Sequence, residues 1–208
     1  MLVVPRKLGK VSTAFYLRQI PKIVLNDTEI SDPEAISNAF NEYFTETGPN
    51  LAAQIPTNTN SAVNNINRNN LVFQLHEVST VQISRVIDKL SICKASGLDN
   101  ISVRLLKLSA PTTINSLAYI INLVICKGII PADWKSARVS AIHKSDSKLH
   151  LNNYGPMSVL PVIAKVFEKV VFDQTYNFLN NNDLLSKEQS GFRHLHSTLT
   201  AMLDATDE

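Results

Sequence analysis

Few residues of this sequence combine the side-chain types that enzymatic chemistry needs. Asp204, Asp207 and Glu208 are acidic neighbours that could bind a metal ion, although an exposed acidic segment explains them more simply. His194 and His196 are separated by one residue, and two histidines without a third ligand indicate a zinc site only weakly. The sequence contains neither a Walker lysine loop nor a glycine-rich dinucleotide fingerprint. Taken alone, these residues indicate no catalytic centre.

Composition and charge narrow the class of protein. The chain has 208 residues, of which 44% are apolar, enough for one sizeable core or two small ones. The net charge of +2 does not by itself indicate a polyanionic partner. Residues 1–75 carry six basic and six acidic side chains, whereas residues 127–196 carry nine basic and six acidic ones. Any basic surface is therefore expected in the C-terminal half.

The cysteines and the apolar runs bear on the compartment. Cys93 and Cys126 lack metal-ligand spacing, so we expect two reduced, buried thiols of an intracellular protein. The N-terminus lacks an apolar stretch long enough for a secretory signal. The apolar run at 117–126 is shorter than the ~18 residues that a membrane span needs. No membrane partner is expected.

The N-terminal quarter predicts a short strand, a turn and a return strand, followed by a helix. Ser31 and Glu34 have capping-box spacing at the start of this helix, and Gly48-Pro49 is expected to end it. Its apolar residues follow the helical period and are expected to pack in a core: Ile36, Ala39, Phe40, Tyr43 and Phe44. Residues 57–70 include seven asparagines and predict a flexible linker.

The remainder predicts mostly helices. Ser79 and Gln82 form a second capping box, a short helix is expected near 102–110, and a longer one ends at Gly128 as a left-handed cap. Residues 134–144 alternate in polarity and predict a strand. A polar turn at 153–158 is expected to lead into a helix over 161–179, and a last helix is expected to start near Thr198.

Four blocks in this order resemble the N-terminal part of the reverse transcriptases of non-LTR retrotransposons, the LINE/jockey-like class. The blocks are KASGLDNIS, GIIPADWKSARVSAIHK, LNNYGPMSVLPVIAKVFEKV and LLSKEQSGFRHLHST. The helix in ISDPEAISNAFNEYFTETGPNLA also resembles the connector that precedes this polymerase. Each block is weak by itself, but four in order are specific, and the resemblance covers residues 20–208.

The resemblance implies a fragment of a right-hand polymerase: an α+β, mainly helical fold comprising the fingers and the start of the palm. It divides the chain into a connector at 1–56, an Asn-rich linker at 57–75 and a partial reverse transcriptase domain at 76–208. By the same resemblance, Trp134 and Phe192 are expected to pack, and Asp99 is expected to stabilise a turn.

The resemblance also assigns nucleotide- or template-binding residues. Lys144 ends the finger strand and is a candidate for contact with triphosphate or template. Arg138 lies on the same strand, about 20 Å away at ~3.3 Å per residue, and is either a backbone-phosphate contact or a surface charge. Gln189 and Arg193 match the block before the palm, where Arg193 would contact template, nucleotide or a structural carboxylate.

Gly155 is the main departure from the family pattern. The family has an arginine at this place, aimed at the nucleotide's phosphates, so a turn that lacks its cation is expected here. Losing a charged hydrogen-bond partner costs about 1.5–3 kcal/mol in general, which corresponds to roughly tenfold to a hundredfold in nucleotide handling.

The full-length family implies Mg²⁺, an RNA template and a DNA primer. Its palm aspartates are not found in residues 1–208, so we expect no metal to be bound by this chain and no polymerase activity from it alone. Two alternatives stay open: a non-catalytic nucleic-acid-binding module, and a structural fragment that self-associates through an uncovered apolar face of the helix at 161–179.

Overall fold

The computed structural model describes residues 20–55, 71–186, 189–193 and 195–206, except for the side chains of residues 204 and 205. The described chain is mainly helical with two small antiparallel sheets, as the sequence predicts. The other residues, which include most of the predicted linker, lie outside this description.

The first sheet is a hairpin that leads into a long helix. Strands β1 (Ile23–Leu25) and β2 (Thr28–Ile30) pair antiparallel through Asn26 and Asp27, whose φ angles are 48° and 60°. Positive φ at both central residues is what a tight hairpin turn requires. Helix α1 (Pro33–Ala53) follows. The predicted hairpin and helix are confirmed.

Both predicted ends of α1 are wrong in detail. The N-cap is Asp32, which accepts a hydrogen bond from Ala35 N, and not Ser31. The helix also continues through Gly48-Pro49 to Ala53. Proline removes one backbone donor, and the hydroxyls of Thr45 and Thr47 donate to helix carbonyls in the preceding turns. The pair Gly48-Pro49 does not end the helix.

Helices α2 (Thr80–Lys89) and α3 (Val103–Lys127) come next. The capping box of Ser79 is confirmed, and so is Gly128 as a left-handed cap with φ 66°. The sequence predicted two helices in this region, a short one near 102–110 and a longer one ending at Gly128. The structure has the single helix α3, which continues through Pro111. Hydroxyls around the proline donate to nearby carbonyls of the same helix: Ser109, Thr112 and Thr113.

Along the chain, the second sheet follows a short helix and precedes a long one. Helix α4 (Ala132–Lys135) precedes strand β3 (Arg138–His143), which pairs antiparallel with β4 (Tyr154–Val159). Helix α5 (Val162–Asn181) and helix α6 (Thr198–Thr206) complete the chain. The predicted polar turn at 153–158 is wrong, since these residues are mostly strand. Pro156 is tolerated because a two-stranded sheet has only edge strands.

The buried side chains form two main clusters. One joins α2, α3 and α5 around Ile83, Ile121 and Val166. The other joins β1, α1 and the hairpin β3–β4, where the rings of Phe40 and Tyr154 meet edge to face at 5.0 Å. Residues 20–44 thus share a core with the hairpin β3–β4. The division of the chain at 57–75 remains a prediction.

The structure differs from two expectations: that both cysteines are buried, and that no segment could span a membrane. Cys93 and Cys126 are exposed and not buried, since one lies in the turn after α2 and the other on the outer side of α3. Helix α3 is also long and apolar enough to cross a membrane, although the sequence predicted no such segment. One such helix is weak evidence, because core helices meet the same criterion, and one face of α3 lies in the core.

Candidate nucleotide and template interface

The end of the hairpin β3–β4 presents Lys144. Its backbone N–H donates to Asn153 O at 2.9 Å, which continues the strand pairing by one residue. The side chain is exposed, and the ammonium makes no hydrogen bond or ion pair to the described residues. A lysine whose backbone is fixed by strand pairing, and whose ammonium has no partner among the described residues, is suited to binding phosphate.

Gly155 makes room for the side chain of Lys144. A Cβ atom at residue 155 would collide with Lys144 Cε and would lie 3.1 Å from Lys144 Nζ. Gly155 pairs with Ile142 inside β4 and is itself buried. The expectation of a turn that lacks a cation is therefore revised. Gly155 is a strand residue, and the side chain of Lys144 covers it.

Residues 94–102 form a loop, here called the glycine loop, that packs against the start of α5. A Cβ atom at Gly97 would lie 2.5 Å from Pro161 N and 2.8 Å from the carbonyl carbon of Leu160. These are backbone atoms that cannot rotate away, so only glycine fits. Asp99 Oδ1 accepts from Ile101 N at 3.2 Å, which confirms the predicted turn role of Asp99.

Two cations donate to the glycine loop. Arg138 Nη2 lies 2.9 Å from Gly97 O and 2.6 Å from Asn100 Oδ1. Lys165 Nζ on α5 donates to Ala95 O at 2.7 Å. Three of the four sequence blocks therefore meet at this loop, which fixes β3 relative to α3 and α5.

Lys165 was missed by sequence reasoning, although a lysine within the apolar stretch VIAKVFEKVV was a usable signal. Burial lowers the pKa of Lys165, and the charge of Lys94 lowers it further, while Asp99 and Glu168 act in the opposite direction. Burial also raises the pKa of the Tyr154 phenol, whose hydroxyl donates to Lys148 O at 2.8 Å.

In the fourth sequence block, LLSKEQSGFRHLHST, two side chains donate hydrogen bonds to carbonyls of the same block. Arg193 Nη1 donates to Ser186 O at 3.0 Å, and Gln189 Nε2 donates to Gly191 O at 3.2 Å. Phe192 is fully exposed, so its predicted packing is wrong; its φ of 61° places it in a tight turn. Trp134, by contrast, packs against Phe167 at 5.5 Å, as predicted.

The predicted binding residues do not form one cluster. Arg138 begins β3 and Lys144 follows its end, so the two lie about 20 Å apart along the strand. Arg138 is occupied by the glycine loop, and Arg193 by its own segment. Lys144 is the best placed of the predicted residues to meet a ligand.

The described residues do not fit a metal ion. Among them, no three or more His, Cys, Asp or Glu side chains come together as a metal site. Of the candidates in the sequence, His194, Asp207 and Glu208 lie outside the described residues, and so does the side chain of Asp204. No catalytic step through Mg²⁺ is derived from this part of the chain.

Comparison with known proteins identifies relatives among transposon polymerases. The chain is 31% identical over 125 residues to the RNA-directed DNA polymerase from mobile element jockey of Drosophila melanogaster, which covers 60% of this chain and 14% of that protein. It is 29% identical over 119 residues to the probable RNA-directed DNA polymerase from transposon BS of the same organism, covering 57% and 13%. The jockey polymerase of Drosophila funebris is 26% identical over 122 residues, covering 58% and 13%.

These relatives confirm the resemblance that the four blocks indicate. The chain spans only about one seventh of the length of the relatives it matches. No protein-family model matches the chain.

Proposed function

We propose that this chain, which is similar to the RNA-directed DNA polymerases of non-LTR retrotransposons, forms the fingers part of such an enzyme. In this proposal the hairpin β3–β4 binds the incoming nucleotide or the RNA template. The observation that carries the proposal is the exposed ammonium of Lys144 above Gly155, which has no partner among the described residues, at the end of a strand whose Val139 and Ala141 pack in the core shared with α1.

The glycine loop supports this role by positioning the hairpin. Arg138 fastens the start of β3 to the loop, so the far end of β3 is held at a defined distance. Lysine acts as a compact point charge towards phosphate, without the bidentate geometry of arginine. Lys144 therefore supplies attraction to a phosphate, and the rigid hairpin supplies its position.

Replacing Lys144 by glutamine is expected to weaken binding of a single-stranded RNA template by up to about tenfold, since a charged contact is lost. The slope of log K against log salt should become shallower by about 0.7, the share of one phosphate contact. Fluorescence anisotropy over a range of salt concentrations measures both quantities. Lys127→Gln is the matched control, because Lys127 is an exposed lysine in the last turn of α3, away from the hairpin. An equal loss in both variants would contradict a binding role of the hairpin.

The 208-residue chain by itself is expected not to extend a primer. Two-metal phosphoryl transfer requires carboxylates that hold both ions, and the described residues provide no such group. The measurement is a primer-extension assay on a homopolymer template with Mg²⁺ or Mn²⁺. Incorporation by the unmodified chain above that of a Lys144→Ala variant would show that the chain is active.

A second function, nucleic-acid binding without catalysis, is favoured by a cationic groove elsewhere on the molecule, described below. A third, self-association, was expected from the helix at 161–179, but the residues predicted to face inward on α5 are buried or partly buried. Exposed apolar side chains also occur along α3, among them Leu105, Leu108, Tyr119 and Leu123. Self-association through this face remains a proposal.

A further inference from the structure

A groove of about 680 Å³ lies between α2 and α5, closed at one end by Lys94 of the glycine loop. Its lining includes five basic side chains, which we call the cationic groove residues: Arg85, Lys89, Lys94, Lys165 and Lys169. Only two acidic side chains, Glu168 and Asp173, line it as well. The lining thus carries a net charge of +3, more than the +2 of the whole chain.

The basic side chains of the groove are only partly neutralised. Lys169 pairs with Asp173 at 2.7 Å, one helical turn away on α5. Lys165 donates to a carbonyl, and its pKa is lowered first by burial and then by the nearby charge of Lys94. All five cations line the same groove, so one anionic ligand lying in it can meet several of them.

An exposed aromatic ring borders the same groove. Phe172 is 51% exposed and stacks on Tyr176, with ring centroids 5.5 Å apart and an angle of 18° between the planes. The ammonium of Lys169 lies 4.7 Å from the centre of the Phe172 ring. Phe172 also lines a second, more apolar groove beside Trp134. A flat ring is therefore available beside the cations.

We propose that the cationic groove binds a single-stranded polynucleotide, with phosphates against Arg85, Lys89 and Lys165 and a base stacked on Phe172. Cationic grooves edged by aromatic rings bind single strands in this way. The groove uses different residues from the hairpin and extends the proposed function to a second surface.

The polynucleotide fits these features better than an acidic polypeptide does. Carboxylates would satisfy the cations but would leave the exposed half of Phe172, beside its stacking partner Tyr176, uncovered. A base satisfies the ring and its backbone satisfies the cations at once. The two ligand classes therefore differ in how strongly they depend on Phe172.

The test compares four variants by anisotropy with a labelled 12-nucleotide uridine RNA, the matching thymidine DNA, inorganic polyphosphate and polyglutamate as probes. The double variant Arg85→Gln/Lys89→Gln should bind RNA at least tenfold more weakly, with a salt slope shallower by about 1.4. The control double variant Arg104→Gln/Lys127→Gln removes the same charge from exposed positions of α3 and should change affinity less than about twofold.

Phe172→Ala should weaken RNA binding by about fivefold to a hundredfold and leave polyphosphate binding unchanged. Phe172→Tyr keeps the ring and should restore RNA binding, which guards against a loss of fold in the alanine variant. Equal losses in the two double variants would overturn the proposal, and so would RNA binding that is indifferent to Phe172→Ala. Polyglutamate binding as tight as RNA binding would assign the groove to an acidic polypeptide instead.

The Lys144→Gln variant separates this proposal from the hairpin site. If Lys144→Gln weakens RNA binding and the groove variants do not, the groove proposal fails and the hairpin proposal stands. The opposite result leaves the groove as the binding surface. Similar losses for RNA and DNA would show that the groove does not use the 2′-hydroxyl.

Discussion

Replacement of Gly97 by alanine is expected to destabilise the fold by about 1–3 kcal/mol, the usual cost of overpacking a filled site. The new Cβ would lie 2.5 Å from Pro161 N and 2.7 Å from Pro161 Cα, so the glycine loop and the start of α5 must move apart. Moving them also strains the bonds of Arg138 and Lys165 to the loop. Urea unfolding followed by circular dichroism measures the change in free energy.

Gly48→Ala is the matched control for this prediction. A Cβ atom at Gly48 would meet nothing within 4 Å, and the residue lies inside α1. Alanine should lower the backbone-entropy cost by about 0.5–1 kcal/mol, but its Cβ would crowd the Cδ of Pro49, which follows it in the helix, so the net change should be small. If the two variants changed stability equally, the close approach of Gly97 to Pro161 would be refuted.

Local signals predicted much of the fold. The capping box at Ser79 and the left-handed cap at Gly128 depend on residues within one helical turn, so the sequence contains all the information they need. The apolar period of the helices likewise placed Ile83, Phe40 and Val166 in the core. These elements needed no knowledge of distant partners.

The errors arose where packing overrides local preference. Prolines 49 and 111 favoured breaks, yet both lie inside helices. Burial of α3 on both sides of Pro111, at Leu106 and Leu117, outweighs the cost of one missing backbone donor. Strand β4 was missed because its pairing partner β3 lies on the other side of a ten-residue loop, and turn-forming residues dominate its sequence.

The candidate site was predictable only in part. Lys144 could be placed at the end of a strand by alternation, and the structure puts it there. The role of Arg138 could not be decided, because its partners Gly97 and Asn100 are 41 and 38 residues away in sequence. The relation of Lys144 to Gly155 likewise follows from strand register, which no local pattern specifies.

Arg138→Ala is expected to destabilise the chain by about 1.5–3 kcal/mol, since hydrogen bonds from a charged group to the glycine loop are lost. The guanidinium bridges Gly97 O and Asn100 Oδ1, so its removal frees the loop from β3. Both bonds come from the single nitrogen Nη2, and a lysine ammonium could donate to both acceptors but sits on a shorter side chain, so Arg138→Lys should recover only part of the loss. The salt slope of RNA binding should stay unchanged, because the side chain is not available to a phosphate.

This combination of measurements decides between the structural role that the loop contacts of Arg138 indicate and the phosphate contact that the sequence left open, beside a plain surface charge. A structural role changes the free energy of unfolding and leaves the salt slope alone, whereas a phosphate contact makes the slope shallower by about 0.7 at constant stability. Arg104→Ala serves as control, since Arg104 is an exposed arginine in the first turn of α3 and should alter stability by less than about 0.5 kcal/mol. A stable Arg138→Ala variant with a shallower salt slope would show that Arg138 contacts phosphate and does not position the hairpin.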